Sequence, residues 1–359
     1  MLRLDSVSLP PLGKSKRDAS VLFARCDLLN RGYGGNKWYK LNAFADTFDQ
    51  CLARKACGTP YTLFAIGGAY SNLIAALTQY ASEAALTVDF IVRGERPADH
   101  KLSPALRTAI SQGHNLHFVP RSTYRSINEL SRSGTQSLAT GSSPHAYLQN
   151  LSAVPESDSF FIPEGAGGLH GGLGGAMLYR DICSALKAAD RSELIRHIIH
   201  AAGTGSTVAG LAAASTHDAN NSFNVHAIPV LRAGEVFVRS TQQLYRYVLA
   251  HLKAADKSCF ELSVKEQTNE PSNRDLGVLF PEEDFSHGGY AKQSEPLNRF
   301  ISEFNDLNKL EIDRIYVAKV LYAVRVMLDN GMLLPEQTLV VNSALSTAYP
   351  WAEPLNCTQ

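Results

Sequence analysis

Parallel β-sheets with helices on both faces are the architecture this chain predicts, and three observations carry the prediction. Short apolar runs are closed by glycines, segments of helical spacing follow them, and the two alternate along the chain as βαβ units require. The 359 residues, 45% hydrophobic and 19% charged, are enough for two domains of ~150 residues, each with its own core.

The alternation reads in order. "TLFAIGG" (62–68) is a strand and "AYSNLIAALTQYASEAAL" (69–86) a helix after a Ser-Asn start. "TVDFIVRGE" (87–95) is again a strand, and "LRTAISQGHNLHFVP" (106–120) a helix followed by a strand. "IIHAAGTGSTVAGL" (198–211) runs from strand through a glycine turn into a helix, while "FNVHAIPVL" (223–231) and "QTLVVNSA" (337–344) are further strands. Residues 121–160 hold ten serines in forty positions, too polar a composition to bury much, so a long surface connection is expected there. Residues 252–284 also read as polar and irregular. The expected division is a larger domain of residues 1–58 and 163–359 and a smaller α/β domain of residues 59–162.

Charge narrows the partners. Lys+Arg and Asp+Glu both number 34, so no net field favours nucleic acid or an anionic membrane, and any anion must be held by a local site. The N-terminus lacks the apolar core of a secretory signal, and no uninterrupted apolar run approaches the ~20 residues that span a bilayer. The six cysteines are scattered with no CxxC pair, as befits free thiols in a reducing compartment. His197 and His200, three apart on a strand, face opposite sides and make a poor metal site. A soluble cytoplasmic protein with no nucleic-acid or membrane partner is expected.

Three glycine-rich turns and one lysine then stand out. Gly203-Thr204-Gly205-Ser206-Thr207 lies between a strand and a helix start, and offers backbone N–H groups, hydroxyls and a helix N-terminus to a phosphate. The dinucleotide fingerprint GxGxxG fails there at Val208, and "GKS" (13–15) lacks the first glycine of a P-loop because Ser8 holds its place. A purely structural strand-to-helix turn is the alternative. "IPEGAGGLHGGLGG" (162–175) has seven glycines in fourteen residues and reads either as a binding loop or as a flexible connection. "GGAYSN" (67–72) closes a strand and opens a helix with Ser71 and Asn72, where helix capping alone is the competing explanation. In "RGYGGNKWYKL" (31–41), Lys37 sits at the hinge of a Gly-Gly turn, an odd place for a residue that prefers open solvent. A phosphate cup, a lysine able to form an imine and polar groups around a ring are together the inventory that pyridoxal 5'-phosphate needs.

At this point the sequence resembles a known family. The stretches "RCDLLN" (25–30), "GGNKWYKL" (34–41), "GGAYSNLIAAL" (67–77), "VRGE" (92–95), "LHFVPRSTYR" (116–125), "PEGAGG" (163–168), "AAGTGSTVAGL" (201–211), "HGGYAK" (287–292) and "IDRIYVAKVLYAV" (312–324) are similar, in order, to those of the 1-aminocyclopropane-1-carboxylate deaminase/D-cysteine desulfhydrase family. These are tryptophan-synthase-β-like, fold type II pyridoxal-phosphate enzymes. The resemblance implies a two-domain fold type II enzyme, a homodimer acting on a small amino acid. It implies that Lys37 forms the imine, that Asn72 hydrogen-bonds the cofactor's ring hydroxyl, and that Ser71 meets the substrate carboxylate or helps its proton transfer. Gly203, Thr204, Gly205, Ser206 and Thr207 would cradle the phosphate, together with Lys40, for which an ordinary surface lysine is the alternative. Tyr290 and Tyr316 would face the substrate as acid/base or orienting groups, with core packing as the competing role.

The chain departs from that pattern at specific places. Leu73 stands where the family has His or Gln, and Val317 where it has Glu or Thr. In "VVNSALST" (340–347) Ser343 replaces a threonine, and Ala344 and Leu345 replace two glycines, which should make a positive-φ turn harder to form. Ser343 is then the remaining hydroxyl for the ring nitrogen. The preferred reading is α,β-elimination in the manner of a D-cysteine desulfhydrase, with sulfide, ammonia and pyruvate as products and Lys37 as general base. The ring-opening cyclopropane deaminase is the first rival, and a cofactor-binding relative that has lost catalysis is the second.

Overall fold

The computed structural model describes residues 2–13, 19–29, 34–58, 62–132, 159–257 and 277–344. In chain order its strands are β1 (Leu4–Leu9), β2 (Ala19–Arg25), β3 (Thr62–Gly67), β4 (Val88–Arg93), β5 (Asn115–Val119), β6 (Ser159–Ile162), β7 (His197–Ala202), β8 (Asn224–Pro229) and β9 (Thr338–Asn342). Its longer helices are α1 (Asn36–Asn42), α2 (Ala45–Ala56), α3 (Asn72–Glu83), α4 (Pro104–Ser111), α5 (Arg121–Arg132), α6 (Gly168–Ala188), α7 (Ser206–His217), α8 (Glu235–Lys257), α9 (Glu295–Asn308) and α10 (Val317–Asp329). None of the described helices is long and apolar enough to cross a membrane. The chain forms two units, Met1–Leu29 with Gly171–Ala344, and Asn30–His170.

In the unit Asn30–His170, four parallel strands lie in the order β5-β4-β3-β6. Alternate residues along a strand face opposite sides, and both sides are apolar here because both are covered. Leu63, Ala65, Phe90 and Val92 pack with Leu41, Phe44, Phe48, Leu73, Leu77 and Leu106 from α1 to α4. Phe64, Ile66, Ile91 and Val119 pack on the opposite side with Tyr124 and Ile127 of α5. Two of the expected features need correction. Residues 121–132, expected in a surface connection, form α5, because Tyr124 and Ile127, three apart, make a narrow apolar stripe that the serines disguise. Residues 133–158 lie outside the described residues. The unit boundaries at 29/30 and 170/171 also differ from the expected 58/59 and 162/163. The apolar face of α1 and α2 is spent on the core of this sheet, so that segment belongs with it.

In the other unit, five strands take the order β1-β2-β9-β7-β8. The β1–β2 pair is antiparallel and the remaining pairs are parallel. Phe23, Ile199 and Val340, from three neighbouring strands, meet Val317, Val320, Leu321 and Val324 of α10 and Phe300 and Phe304 of α9. The stretch from 252, expected to be irregular, begins inside α8, which continues to Lys257; residues 258–276 lie outside the described residues. Helices α6 and α7 cross at backbone contact. A Cβ on Gly210 would collide with the Gly172 carbonyl and stand 2.9 Å from the Cα of Gly175, and one on Gly175 would collide with the Thr207 carbonyl, so glycine at 175 and 210 allows the approach. A Cβ on Gly172 would meet Val248 of α8 instead.

That crossing sets a measurable cost. Gly210→Ala should destabilise the protein by about 3 kcal/mol, the upper part of the overpacking range, whereas Gly234→Ala, which meets nothing within 4 Å, should stay within ~0.5 kcal/mol. Urea unfolding of the two variants beside the wild type measures both; equal stabilities would mean the helices separate freely.

Candidate active site

Ligands in parallel sheets collect beyond the carboxyl ends of strands, where neighbouring strands lead to opposite sides. In the sheet β5-β4-β3-β6 that point lies between β3 and β6, whose outgoing loops are 68–71 and 163–167. In the other sheet it lies between β9 and β7, whose outgoing loops begin at Ser343 and Gly203. The turns at 68–71, 163–167 and 203–207 therefore fall at these two points, whereas residues 168–175 of the glycine-rich stretch 162–175, expected as a loop, are the start of α6.

Helix α1 carries the lysines. Gly35 precedes it with φ 73° and ψ −162°, a conformation that L side chains rarely adopt, so the Gly-Gly turn aims the first helical turn. Lys37 and Lys40, three apart, share one face of that helix. Lys37 Nζ donates to Asn36 Oδ1 at 3.2 Å, and burial pulls its pKa down to about 8. Lys40 is buried, donates to the Gly165 carbonyl at 2.9 Å, and is held well below its ordinary pKa by burial and then by the charge of Lys37. The surface-lysine alternative for Lys40 is thereby excluded. The neighbouring Glu164 is anchored from α5, accepting from the Tyr124 hydroxyl at 2.7 Å and from Asn128 Nδ2 at 2.7 Å. This carboxylate was not singled out in the sequence; its place within "PEGAGG" was the available signal.

Helix α1 packs on α3, which starts at Asn72. Ser71 is its N-cap, and its hydroxyl accepts from the N–H groups of Leu73 and Ile74 at 3.2 and 3.4 Å. Capping uses the oxygen lone pairs and leaves the O–H proton to be donated. Leu73, the first departure from the family pattern, is wholly buried in the core of its sheet, so its side chain packs rather than serving the loop.

The loop Gly203–Thr207 leaves β7 and enters α7, a twelve-residue helix. Gly205 is its N-cap at φ 79°, and a Cβ there would collide with the Thr241 hydroxyl. The Thr204 and Ser206 hydroxyls lie 3.2 Å apart, and Ser206 and Thr207 are buried. Gly203 is open on one side, where an added Cβ would stand 3.6 Å from Cε1 of Tyr316. Tyr316 in turn meets Tyr290 edge to face, with ring centroids 6.2 Å apart, so this unit brings together the glycine loop and both tyrosines. Tyr316 is placed by Asp313, whose carboxylate accepts the N–H groups of Ile315, Tyr316 and Val317 at 3.0, 2.8 and 3.0 Å. Burial raises the Asp313 pKa against those three donors. Asp313 was missed in the sequence, because it stands four residues before α10 begins and not at the position immediately before a helix where a cap is looked for. Ser343 lies buried beyond β9. Val317 and Ala344 belong to the core, and Ala344 does not take a positive φ. Instead its N–H donates to Asn342 Oδ1 at 3.2 Å, which closes the turn without the glycines that the family uses. Leu345 lies outside the described residues.

No protein-family profile matches the sequence, and no curated sequence is detectably similar to it. Solved structures do match. A structure described as an ACC deaminase homologue superposes with a TM-score of 0.61 at 20% identity, covering 91% of this chain and 84% of its own. A hydrogen sulfide-producing enzyme from Fusobacterium nucleatum gives 0.55 at 11%, covering 97% and 96%. A fungal L-serine ammonia-lyase from Rhizomucor miehei gives 0.52 at 13%, covering 95% and 94%. The fold is fold type II, tryptophan-synthase-β-like. The identities speak for the fold alone.

The lowered pKa of Lys37 predicts its reactivity. Trinitrophenylation of Lys37 by trinitrobenzenesulfonate, in which the amine displaces sulfite, should by peptide mass mapping rise tenfold per pH unit and level off near pH 8, because only the neutral amine attacks. A solvated lysine would keep rising to about pH 10.4, and that outcome would remove Lys37 from a buried site.

Proposed function

We propose that this chain is a pyridoxal-phosphate-dependent lyase that eliminates a β-substituent from a small amino acid, with D-cysteine as the preferred substrate. The observation that carries the reading is the half-buried Lys37, whose amine has its pKa lowered to about 8 by desolvation, at a Gly-Gly-Asn-Lys turn. An imine-forming lysine must be neutral to attack an aldehyde and must recover a proton during the reaction.

The residues suit the cofactor. The cup at Gly203–Thr207 joins an N-cap glycine, hydroxyls and a helix N-terminus, which together suit a phosphate dianion. Lys37 would hold pyridoxal phosphate until a substrate amino group takes its place, and the cofactor would supply an electron sink for the substrate's α-carbon. Released by the incoming amino group, Lys37 is then the base for the α-proton, since its depressed pKa leaves it partly unprotonated at neutral pH. Ser71 donates its O–H to the substrate carboxylate, and Asn72 is assigned to the ring hydroxyl. Tyr290 and Tyr316 guide the proton to the departing thiolate. Ser343, a neutral hydroxyl, is assigned to the ring nitrogen; it would leave that nitrogen largely unprotonated and favour elimination over racemisation. Lys40 stands beside Lys37 with its proton committed to the Gly165 carbonyl. For cysteine the balance is substrate plus water giving pyruvate, ammonia and sulfide.

Ring opening of 1-aminocyclopropane-1-carboxylate is the second reading, favoured by the match to an ACC deaminase homologue. That substrate has no α-proton, so it needs a different proton route. Purified, cofactor-loaded protein offered D- and L-cysteine, D- and L-serine and the cyclopropane amino acid should release pyruvate and sulfide from one cysteine enantiomer. Release of 2-oxobutyrate would establish the second reading, and no keto acid from any substrate would favour a non-catalytic cofactor-binding role. Lys37→Ala should lower turnover by at least ~10³ and abolish the borohydride-trapped adduct on this peptide; an adduct that persists at another lysine overturns the assignment.

A further inference from the structure

Helix α10 carries a second buried lysine that the proposed chemistry does not use. Lys319 is wholly buried, and its Nζ donates to the carbonyls of Val230, Ser286 and Gly289 at 3.0, 2.7 and 2.7 Å. Three acceptors at these distances demand three N–H donors. Only the ammonium has three, since a neutral amine has two. Burial pulls its pKa down to about 8, opposed by the carboxylates of Asp313 and Asp284, so the charged form holds at neutral pH.

The three carbonyls come from two places. Val230 follows β8, Ser286 and Gly289 belong to the loop that carries Tyr290, and the lysine that joins them is one turn after Tyr316. That loop is costly to hold by itself. His287 and Ala291 both take positive φ, at 50° and 55°, which is unfavourable for residues with a side chain. Among the described residues, His287 Nε2 is a buried nitrogen without a hydrogen-bond partner. Within the loop the Gly289 N–H donates to the Ser286 carbonyl and the Lys292 N–H to the Gly289 carbonyl, both at 3.1 Å, and each carbonyl keeps a second lone pair for Lys319.

We propose that Lys319 is a tethered monovalent cation at the centre of a backbone-carbonyl cage, and that this cage is the positioning device for Tyr290 and Tyr316. The cage joins the loop of one tyrosine, the helix of the other and the end of β8 at a single charged atom. Its relevance to catalysis rests on the function proposed above; its existence does not. Cutting the side chain back to Cβ leaves three converging carbonyls and a space, which a free ammonium or potassium ion fills.

The test is chemical rescue of Lys319→Ala, read as the unfolding temperature of the purified protein in equal concentrations of choline, lithium, potassium and ammonium chloride. The wild type should unfold at the same temperature in all four. Lys319→Ala should unfold at least about 5 °C lower in choline, a shift that a few kcal/mol gives at this size, and recover half or more of that loss in ammonium or potassium. Lys319→Met fills the space without donors and should stay low in every salt. A loss in Lys319→Ala that is the same in all four salts, or its failure to fold in any of them, overturns the proposal, as does a Met variant as stable as the wild type. Once a substrate is known, kcat of Lys319→Ala should follow the same cation order while the borohydride adduct on Lys37 is unchanged. Absence of that adduct in the wild type would sink the cofactor reading and leave the cation dependence standing.

Discussion

Two amines three residues apart on one helical face cannot both carry a full charge inside a protein without a local remedy, and much of the unit Asn30–His170 is that remedy. Water would solvate each ammonium far better than protein does. Lys40 is compensated by the Gly165 carbonyl, and that carbonyl is held in place because the next residue back, Glu164, is clamped by Tyr124 and Asn128 of α5. Arg93 lies over the Tyr124 ring at 5.6 Å and extends the support to β4. Among the described residues Lys37 has no acceptor beyond its neighbour Asn36, and it meets the same penalty by releasing its proton more readily. One helix thus presents an anchored lysine and a reactive one, separated by what each is bonded to.

The unit Met1–Leu29 with Gly171–Ala344 solves a different problem, which is to hold polar loops at the ends of strands without side-chain ballast. Asp313 satisfies three N–H groups at the head of α10, and Lys319 satisfies three carbonyls from the facing segments. One acid and one base on a single helix start therefore neutralise six backbone groups that burial would otherwise leave costly. The two charges also oppose each other's desolvation.

Much of this was legible in the sequence, and the parts that were not share a cause. Strands β3, β4, β5, β7, β8 and β9 announced themselves as short apolar runs, three of them (β3, β4 and β7) ended by glycine. The β1–β2 pair went unread, since "LDSVSL" alternates weakly. Helix α5 was hidden because only two of its first seven side chains are buried, too few to lift a periodicity above ten nearby serines. At the site, Lys37, Ser71 and the Gly203–Thr207 loop stood out because unusual backbone needs glycine and capping residues. Glu164, Asp313 and Lys319 did not, because an acid or a lysine in a helical or loop segment ordinarily faces water and only tertiary partners reveal otherwise. The family departures at Leu73, Val317 and Ala344 look like missing site groups in one dimension. In three they are core residues, and the turn after β9 closes through the Asn342 side chain instead of glycine.

The glycine crossing of α6 and α7 has a consequence for how the molecule can vary. Where helices meet through side chains, exchanging one apolar residue for another shifts their separation by fractions of an ångström. Here the spacer is peptide backbone itself, at Gly172, Gly175 and Gly210, and backbone has one thickness. The N-terminus of α7, and with it the Gly203–Thr207 loop, is consequently registered against α6 by a gauge that no change of packing residue can reset. The rest of this core can be rewritten without moving that loop.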